Sequence, residues 1–370
     1  MSRFYYYLVF VNLVVNIVAS VPSILLHYTG KGALSAILLS IVFGAIVVWV
    51  HTRFYISFPG KGLPELLRQV MPNWLTNTLL VYYSILWFLS GLITLITFAF
   101  LLIRFLTPDM SLILIVFNFL IFLCVGILMK TNRIFYSVEM ILAFFFPLVF
   151  FIILKAITSD KINWDYAKIA VTYVNHTPSF AAFAAASFTF YGVSNLVIFN
   201  RFFTTQQQFG FKQLITVVGS AIVILMITYF IPIGFNGFKG IESLVYPWIA
   251  TSDSLRMEYG IIERILFIFL LFYLAISFIS ILIHWHVSLE LLKSTFDFDR
   301  YRIKSFPAMH FCVVSIFGVV SALLTIYLTE YQLFISTEKF YELLAIQFFG
   351  TWILFWWVKR RLKIVKETEN

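Results

Sequence analysis

Charge is what this sequence has least of. Asp, Glu, Lys and Arg together make up 12% of its 370 residues, while 61% are apolar. A soluble domain carries about 25% charged residues and about 45–50% apolar ones, so a water-facing surface over this whole chain is excluded. A lipid-facing surface is not, because it is allowed to be apolar. Cysteine is nearly absent: Cys124 and Cys312 both fall inside apolar runs and read as small buried hydrophobic side chains, not as a disulfide framework. Also missing are a Gly-rich phosphate loop, a nucleophile elbow and a zinc-ligand motif. No cofactor is indicated, and no metal. The net charge of +9 falls in short segments between apolar runs and forms no basic face interleaved with aromatics. That argues against nucleic acid and makes the excess a topology signal.

What is abundant is long hydrophobic runs rich in aromatics, with 44 Phe and 9 Trp. Ten runs are long enough to cross a hydrocarbon core, which takes about 20 residues: 5–26, 33–57, 76–103, 111–129, 134–157, 180–200, 211–231, 262–283, 306–329 and 338–358. They are continuous, not alternating, and backbone groups in lipid must be paired within the segment, so the spans are helices. The first run lacks a short hydrophobic region followed by a small-residue cleavage site and reads as the first helix. The expected fold is an all-α membrane protein, a single integral membrane domain over 1–370 with ten transmembrane helices.

Lys and Arg give the orientation. They concentrate at Arg3, Arg53, Lys61, Arg68, Lys130, Arg133, Arg201, Lys212, Lys293, Arg300, Arg302, Lys304 and in the tail from Lys359 to Lys366. All of these lie on one side if both termini are cytoplasmic. The inner segment 58–74 starts with turn residues and continues as a short amphipathic helix. The stretch 285–304 reads as lying along the inner interface. The segments 158–179 and 232–261 are the longest outer loops.

Polar groups inside a spanning helix need a partner or a cavity. Asn12, Asn16 and Ser20 share one face of span 1; Ser90, Thr94 and Thr97 share one face of span 3; Tyr273, Ser277 and Ser280 share one face of span 8. Each set is compatible with hydrogen bonds between helices or with a shared polar pocket for a small solute. Spans 1 and 6 are more specific. Span 1 holds "NIVASVPSIL", with Ala19, Ser20 and Pro22 in mid-membrane, and proline disturbs the preceding turn. Span 6 holds "ASFTFYGVSNLVIF", in which Tyr191 and Gly192 are followed by Ser194 and Asn195. These are corresponding first helices of two five-helix halves, about 1–157 and 180–358, before a cytoplasmic tail at 359–370. Paired interruptions in such positions point to a transporter-like site at the bilayer midplane. The alternative is a pair of simple kinks.

Titratable residues in the spans are few. Glu139, near the start of span 5, fits either a proton-linked group or a structural tie. Glu263 and Arg264 fit interfacial anchoring. His284 and His286 lack neighbouring Cys or carboxylates at ligand spacing. An intramembrane enzyme would need converging acid, base or metal groups, and only Glu139 is a candidate, so the chain does not read as an enzyme. Asn175-His176-Thr177 is a glycosylation sequon whose meaning depends on the host.

In order and spacing these features resemble the B-subunit (permease-like) family of bacterial spore germinant receptors, a branch of the amino acid–polyamine–organocation transporter superfamily. The resemblance spans nearly the whole chain and rests on the span 1 proline, "FPGKGLPELL" after span 2, "VEMILAFFFPL" in span 5, "SFTFYG" in span 6 and "ERILFIFLLFYLAIS" opening span 8. It implies a LeuT-like, five-plus-five inverted repeat with discontinuous helices 1 and 6. It also implies location in the spore inner membrane, and work as a germinant sensor with an A subunit and a lipoprotein C subunit. Germinants of the family are small nutrients such as amino acids, sugars or nucleosides. Two departures stand out. Glycines usual before the span 1 proline are replaced by Val15, Asn16, Ile17 and Val18, which bears on how far that helix unwinds. A glutamate frequent shortly after the span 6 glycine is absent, with Val193 and Ser194 in its place, which bears on ligand charge or proton coupling.

The expected function is therefore a membrane subunit that binds a small nutrient between spans 1, 3, 6 and 8 and signals to partner subunits; the alternative is a working amino acid permease. Expected ligand-binding residues are Asn16, Ala19, Ser20, Thr94, Thr97, Tyr191, Gly192, Ser194, Asn195, Tyr273 and Ser277.

Overall fold

The computed structural model describes residues 1–18, 20–256, 263–296, 298 and 308–368, the last four by their backbone alone. Among them no strand forms beyond an isolated bridge between Arg256 and Arg264. The elements in order are α1 (Arg3–Val15), α2 (Ser20–His27), α3 (Ala33–Ile56), α4 (Leu63–Arg68), α5 (Asn73–Phe105), α6 (Leu112–Ile127), α7 (Thr131–Ile157), α8 (Trp164–Thr172), α9 (Phe180–Phe188), α10 (Leu196–Phe199), α11 (Phe211–Asn236), α12 (Pro247–Ser254), α13 (Ile265–Thr295), α14 (Ala308–Tyr327) and α15 (Glu330–Thr368). Short 3₁₀ turns cover Tyr173–Asn175, Thr189–Asn195, Asn200–Phe202 and Ile241–Ser243.

Eight helical stretches among the described residues are long and apolar enough to span a membrane, counting Phe180–Phe202 as one. The α1 and α2 pair makes a further candidate, bent by 51° at its break. The apolar α6, with 16 residues, is about 24 Å long at about 1.5 Å per residue. The chain is thus an all-α membrane protein. The outer face supports this: Met140, Phe144, Phe146 and Phe150 of α7 stand exposed, a surface that suits lipid and not water. Cys312 is exposed and Cys124 half-buried, both with free thiols. The expectation that both are buried therefore fails for Cys312, which sits on an outward face.

Two boundaries differ from the sequence reading. The stretch 285–304, expected along the interface, continues α13 as far as Thr295. Trp285, Val287, Leu289 and Leu291 are fully buried there, so apolar packing carries the helix onward; residues 297 and 299–307 lie outside the described residues. At the other end, α15 begins at Glu330 and not near 338. Thr329 and Gln332 form the reason: the Thr329 hydroxyl accepts from the Gln332 amide at 3.3 Å, and the Gln332 side chain accepts from the Thr329 amide at 3.0 Å. This reciprocal cap starts a helix. The helix expected after residue 58 is α4, begun by Pro64 and closed by Glu65 accepting from the Gly62 amide at 2.7 Å.

The centre of the bundle is the long contact of α5 with α13. Gly91 lets the helices approach, since a methyl there would lie 2.5 Å from the Trp285 ring. Trp285 donates to the Phe88 carbonyl at 3.1 Å, and the hydroxyls of Ser84 and Ser288 meet at 2.8 Å. Tyr5 and Thr52 join α1 to α3 in the same way at 2.8 Å. Such bonds are the ordinary means of joining helices in lipid.

Both faces of the bundle are laced by ions. On the face that carries Ser2 and the end of α15 (the terminal face), Arg201 reaches Glu65 at 2.6 Å and Glu290 at 3.3 Å, and Lys293 reaches Glu290 at 2.6 Å. Asn200 donates to the carbonyls of Tyr55, Phe58 and Lys61. Glu139 pairs there with Arg3 at 3.3 Å and accepts from Tyr7, which ties α7 to α1. On the opposite face Arg104 pairs with Glu330 at 2.9 Å, and Tyr28 donates to Glu338 at 3.2 Å. Arg201→Ala takes the cation from Glu65 and one of two cations from Glu290, which keeps Lys293. A loss of about 2 kcal/mol is expected, between the under-1 kcal/mol of an exposed pair and the 3–5 kcal/mol of a buried one. Thermal melts of purified protein check this, with Arg201→Lys expected to fall between the variant and the parent.

Candidate functional site

The first span breaks where its sequence cannot keep helical bonding. Pro22 has no N–H to give to the carbonyl of Val18, and its ring crowds that carbonyl. Residues Asn16–Val18 form a turn, and α2 begins at Ser20 with Pro22 in its first turn, where a missing donor does no harm. Ala19, one of the expected site residues, lies outside the described residues.

The sixth span answers the break differently. It keeps a helical course but tightens to 3₁₀ winding over Thr189–Asn195. The discontinuity expected here is a change of winding, not a gap. A 3₁₀ run of seven residues is unusual, and such mid-helix runs often mark hinges or strain. Asn12 of α1 sits against its start: the side-chain amide donates to the Phe188 carbonyl at 2.9 Å and to the Thr189 carbonyl at 3.0 Å. These are carbonyls at the change from one helix type to the other. Asn16 donates in turn to the Asn12 carbonyl at 2.6 Å. The two spans can come this close only because residue 192 is glycine. A methyl there would lie 2.9 Å from the Asn12 Cβ and 2.9 Å from the Leu8 carbonyl oxygen.

Two small cavities flank this junction, each of about 20 Å³. A cavity needs about 10–15 Å³ of such volume to hold one water, so each has room for roughly that. The one toward the opposite face is lined by Ser20, Ser23, Thr97, Tyr246, Glu330 and Thr337 among others. The one toward the terminal face is lined by Tyr83, Trp87, Tyr191, Ser194, Gln347 and Thr351 among others. Along α15, Thr337 touches the first cavity and Gln347 the second; Tyr341 lies between them and stacks on Phe188 with ring centres 4.2 Å apart. Phe188 also stacks on Tyr191 at 5.4 Å, and Tyr191 meets Phe348 at 5.6 Å. This aromatic layer separates the two polar spaces.

Ser194 has its hydroxyl buried without a hydrogen-bond partner among the described residues. A buried polar atom left unpaired costs about 1–3 kcal/mol, and the cavity beside Ser194 has room for about one water to pair it. Asn195 is committed: its side-chain oxygen accepts from Trp87 at 2.7 Å. Thr94 bonds back to the Ser90 carbonyl at 3.0 Å and lines neither cavity. Tyr273 and Ser277 are buried on α13, with Tyr273 against Phe98 at 5.6 Å, and they too line neither cavity. Ser20, Thr97, Tyr191 and Ser194 are thus on cavity walls, Asn16 and Gly192 build the junction between spans, and Thr94, Tyr273 and Ser277 stand apart.

The tenth run was not expected to contribute, yet α15 supplies Thr337, Tyr341, Gln347, Phe348 and Thr351. A signal was present: Thr337, Tyr341, Phe348 and Thr351 are four, seven and three residues apart, one helical face. Asn12 was visible as part of a polar face, but its partners are backbone carbonyls, which leave no mark in side-chain pattern. His284 bonds to the Ser280 carbonyl at 2.7 Å, and His286 to the Ile127 carbonyl at 3.1 Å and to Thr131 at 3.2 Å. No group of three or more metal-ligating side chains forms among the described residues.

A bundle of lipid-length helices, with a broken first span packed against a rewound sixth, defines an integral membrane protein of transporter-like build. The sequence pattern of the family described as spore germination protein matches residues 6–334, nearly the whole chain, and the chain belongs to that family. No curated protein matches the chain significantly.

Gly192→Ala is expected to push α1 from the 3₁₀ segment and lower stability by about 1–3 kcal/mol, the range for overpacking a tight contact. Asn12→Leu, which removes both bonds between the spans and places a branched apolar side chain against Gly192, is expected to lose about 1 kcal/mol or more. Thermal unfolding in detergent reads both; melting temperatures equal to the parent's would show that the junction is not tightly packed.

Proposed function

We propose that this chain is the membrane subunit of a spore nutrient-germinant receptor, and that it binds a small germinant, an amino acid by preference, at the junction of spans 1 and 6. The ten apolar runs are then ten spans, arranged as two inverted five-helix halves, with both termini cytoplasmic in the spore inner membrane. The partners are an A subunit and a lipoprotein C subunit. Membership of the spore germination protein family supports the biological setting. The observation that carries the site is α1, one turn before its break at Asn16–Val18, packed through Leu8, Val9 and Asn12 against the 3₁₀ segment Thr189–Asn195, with a small cavity on either side.

Chemically, such a junction offers what a zwitterion needs. A helix start offers amide N–H groups to a carboxylate, and interrupted helices leave carbonyls for an ammonium. Ser20 and Thr97 on one side and Ser194 and Tyr191 on the other add hydroxyls. Neither cavity admits an amino acid as it stands, since ligand sites run to about 300 Å³ and more. Binding therefore requires the Phe188–Tyr341 layer to part and the two spaces to merge. A ligand that binds the merged form more tightly shifts the population toward it, and the ion pairs on the two faces are placed to feel that shift and pass it to partner subunits.

Purified protein in nanodiscs, screened by thermal shift against the common amino acids, is expected to give stabilisation by at least one. A Ser20→Ala, Thr97→Ala, Ser194→Ala triple variant is expected to bind that ligand at least tenfold more weakly, equivalent to about 1.4 kcal/mol. Parent-like affinity in the triple variant would remove this site. Uptake of the same ligand into proteoliposomes separates sensor from permease: a sensor gives binding without accumulation.

A further inference from the structure

A much larger cavity than those at the junction opens away from it. It is a cleft of about 620 Å³ on the terminal face, lined by Arg53 and Ser57 at the end of α3, Gln206, Gln207 and Gln213 around the start of α11, and Lys359 of α15, among others. None of the residues that line it is acidic. Both cations are exposed, and neither has an ion pair among the described residues. Arg53 makes one hydrogen bond there, to the Phe209 carbonyl at 3.4 Å, and lies over the Trp49 ring at 4.8 Å. The oxygen of Gln213 is already taken by the Gly210 amide at 2.9 Å and that of Gln207 by the Ser2 amide at 2.7 Å. Gln213 thus has its N–H donors left to offer, while the Gln207 amide nitrogen already donates to the Thr205 carbonyl at 3.3 Å and hydroxyl at 3.2 Å. The cleft therefore presents two positive charges and amide donors with no carboxylate to answer them.

Its depth in the bundle adds a second observation. Two turns of α15 beside it place Arg360 over Trp356 and Arg361 over Trp357, at 5.6 Å and 5.5 Å. Together with Arg53 over Trp49 these form a belt of tryptophans and cations, which marks the level of lipid headgroups. A basic hollow between spanning helices at that level suits an anionic headgroup, and the volume fits a group of that size.

From this arrangement we infer that the cleft is a binding site for a phosphate-bearing anion, of the kind an anionic phospholipid headgroup presents. The phosphate sits between Arg53 and Lys359, and the Gln213 amide binds its ester oxygens or glycerol hydroxyls. The site is separate from the germinant junction and does not depend on it.

The full chain is purified and stripped of lipid in detergent. Phosphatidylglycerol, phosphatidylcholine or inorganic phosphate is then titrated, with retained lipid counted by native mass spectrometry and melting temperature followed in parallel. Parent protein is expected to retain phosphatidylglycerol in at least tenfold preference to phosphatidylcholine. Arg53→Gln/Lys359→Gln is expected to lose that preference, Arg53→Lys/Lys359→Arg to keep it, and Arg360→Gln/Arg361→Gln, which removes as much charge beside the cleft, to keep it. Stabilisation by inorganic phosphate alone, lost in the same double variant, would support the site with a soluble anion as its source. Should the double variant fail to fold, Lys359→Gln carries the test, since this exposed residue has no ion pair among the described residues. Equal retention of the two lipids by parent protein with no response to phosphate, or equal loss in the Arg360/Arg361 control, would overturn the inference.

Discussion

The arrangement turns on the side-chain amide of Asn12 and its bonds to the carbonyls of Phe188 and Thr189. In a bilayer core no water can pair a carbonyl that a helix releases. At the change from α to 3₁₀ winding in span 6, these two bonds add a donor from another span to the backbone's own bonding. Asn12 is that donor, and Gly192 is the gap through which the first span comes near enough to supply it. The span bent at Pro22 and the span wound tightly over Thr189–Asn195 are joined at this meeting, and the two cavities lie to either side of it.

The structure is a closed form. Ion pairs lace both faces, and the aromatic layer of Phe188, Tyr191 and Tyr341 keeps the two polar spaces apart. Little space is kept open at the junction. Under the proposed function, a ligand's binding energy would go into separating these packed rings, and that change in packing would be the signal.

Fold class was legible because the constraint is coarse: few charges and long apolar runs leave lipid as the only suitable solvent. The break in span 1 was legible as well, since Pro22 acts through a missing N–H that the sequence states outright. Span 6 was half legible. Its Gly192, Ser194 and Asn195 announced an irregular helix, but whether the backbone gaps or tightens depends on what packs against it. The role of α15 was overlooked because its aromatics look like lipid-facing residues until a neighbour such as Phe188 is known. Thr94, Tyr273 and Ser277 share faces as expected, yet which face looks into a cavity is decided by helix rotation, which side-chain periodicity leaves free.

A cryo-electron microscopy structure of the protein with saturating germinant tests the central claim most directly. The account predicts ligand density between residues 16–20 and 189–195, with the Phe188 and Tyr341 rings parted and the two cavities joined. Density elsewhere, with that aromatic layer unchanged and Asn12 still bonded as described here, would contradict it.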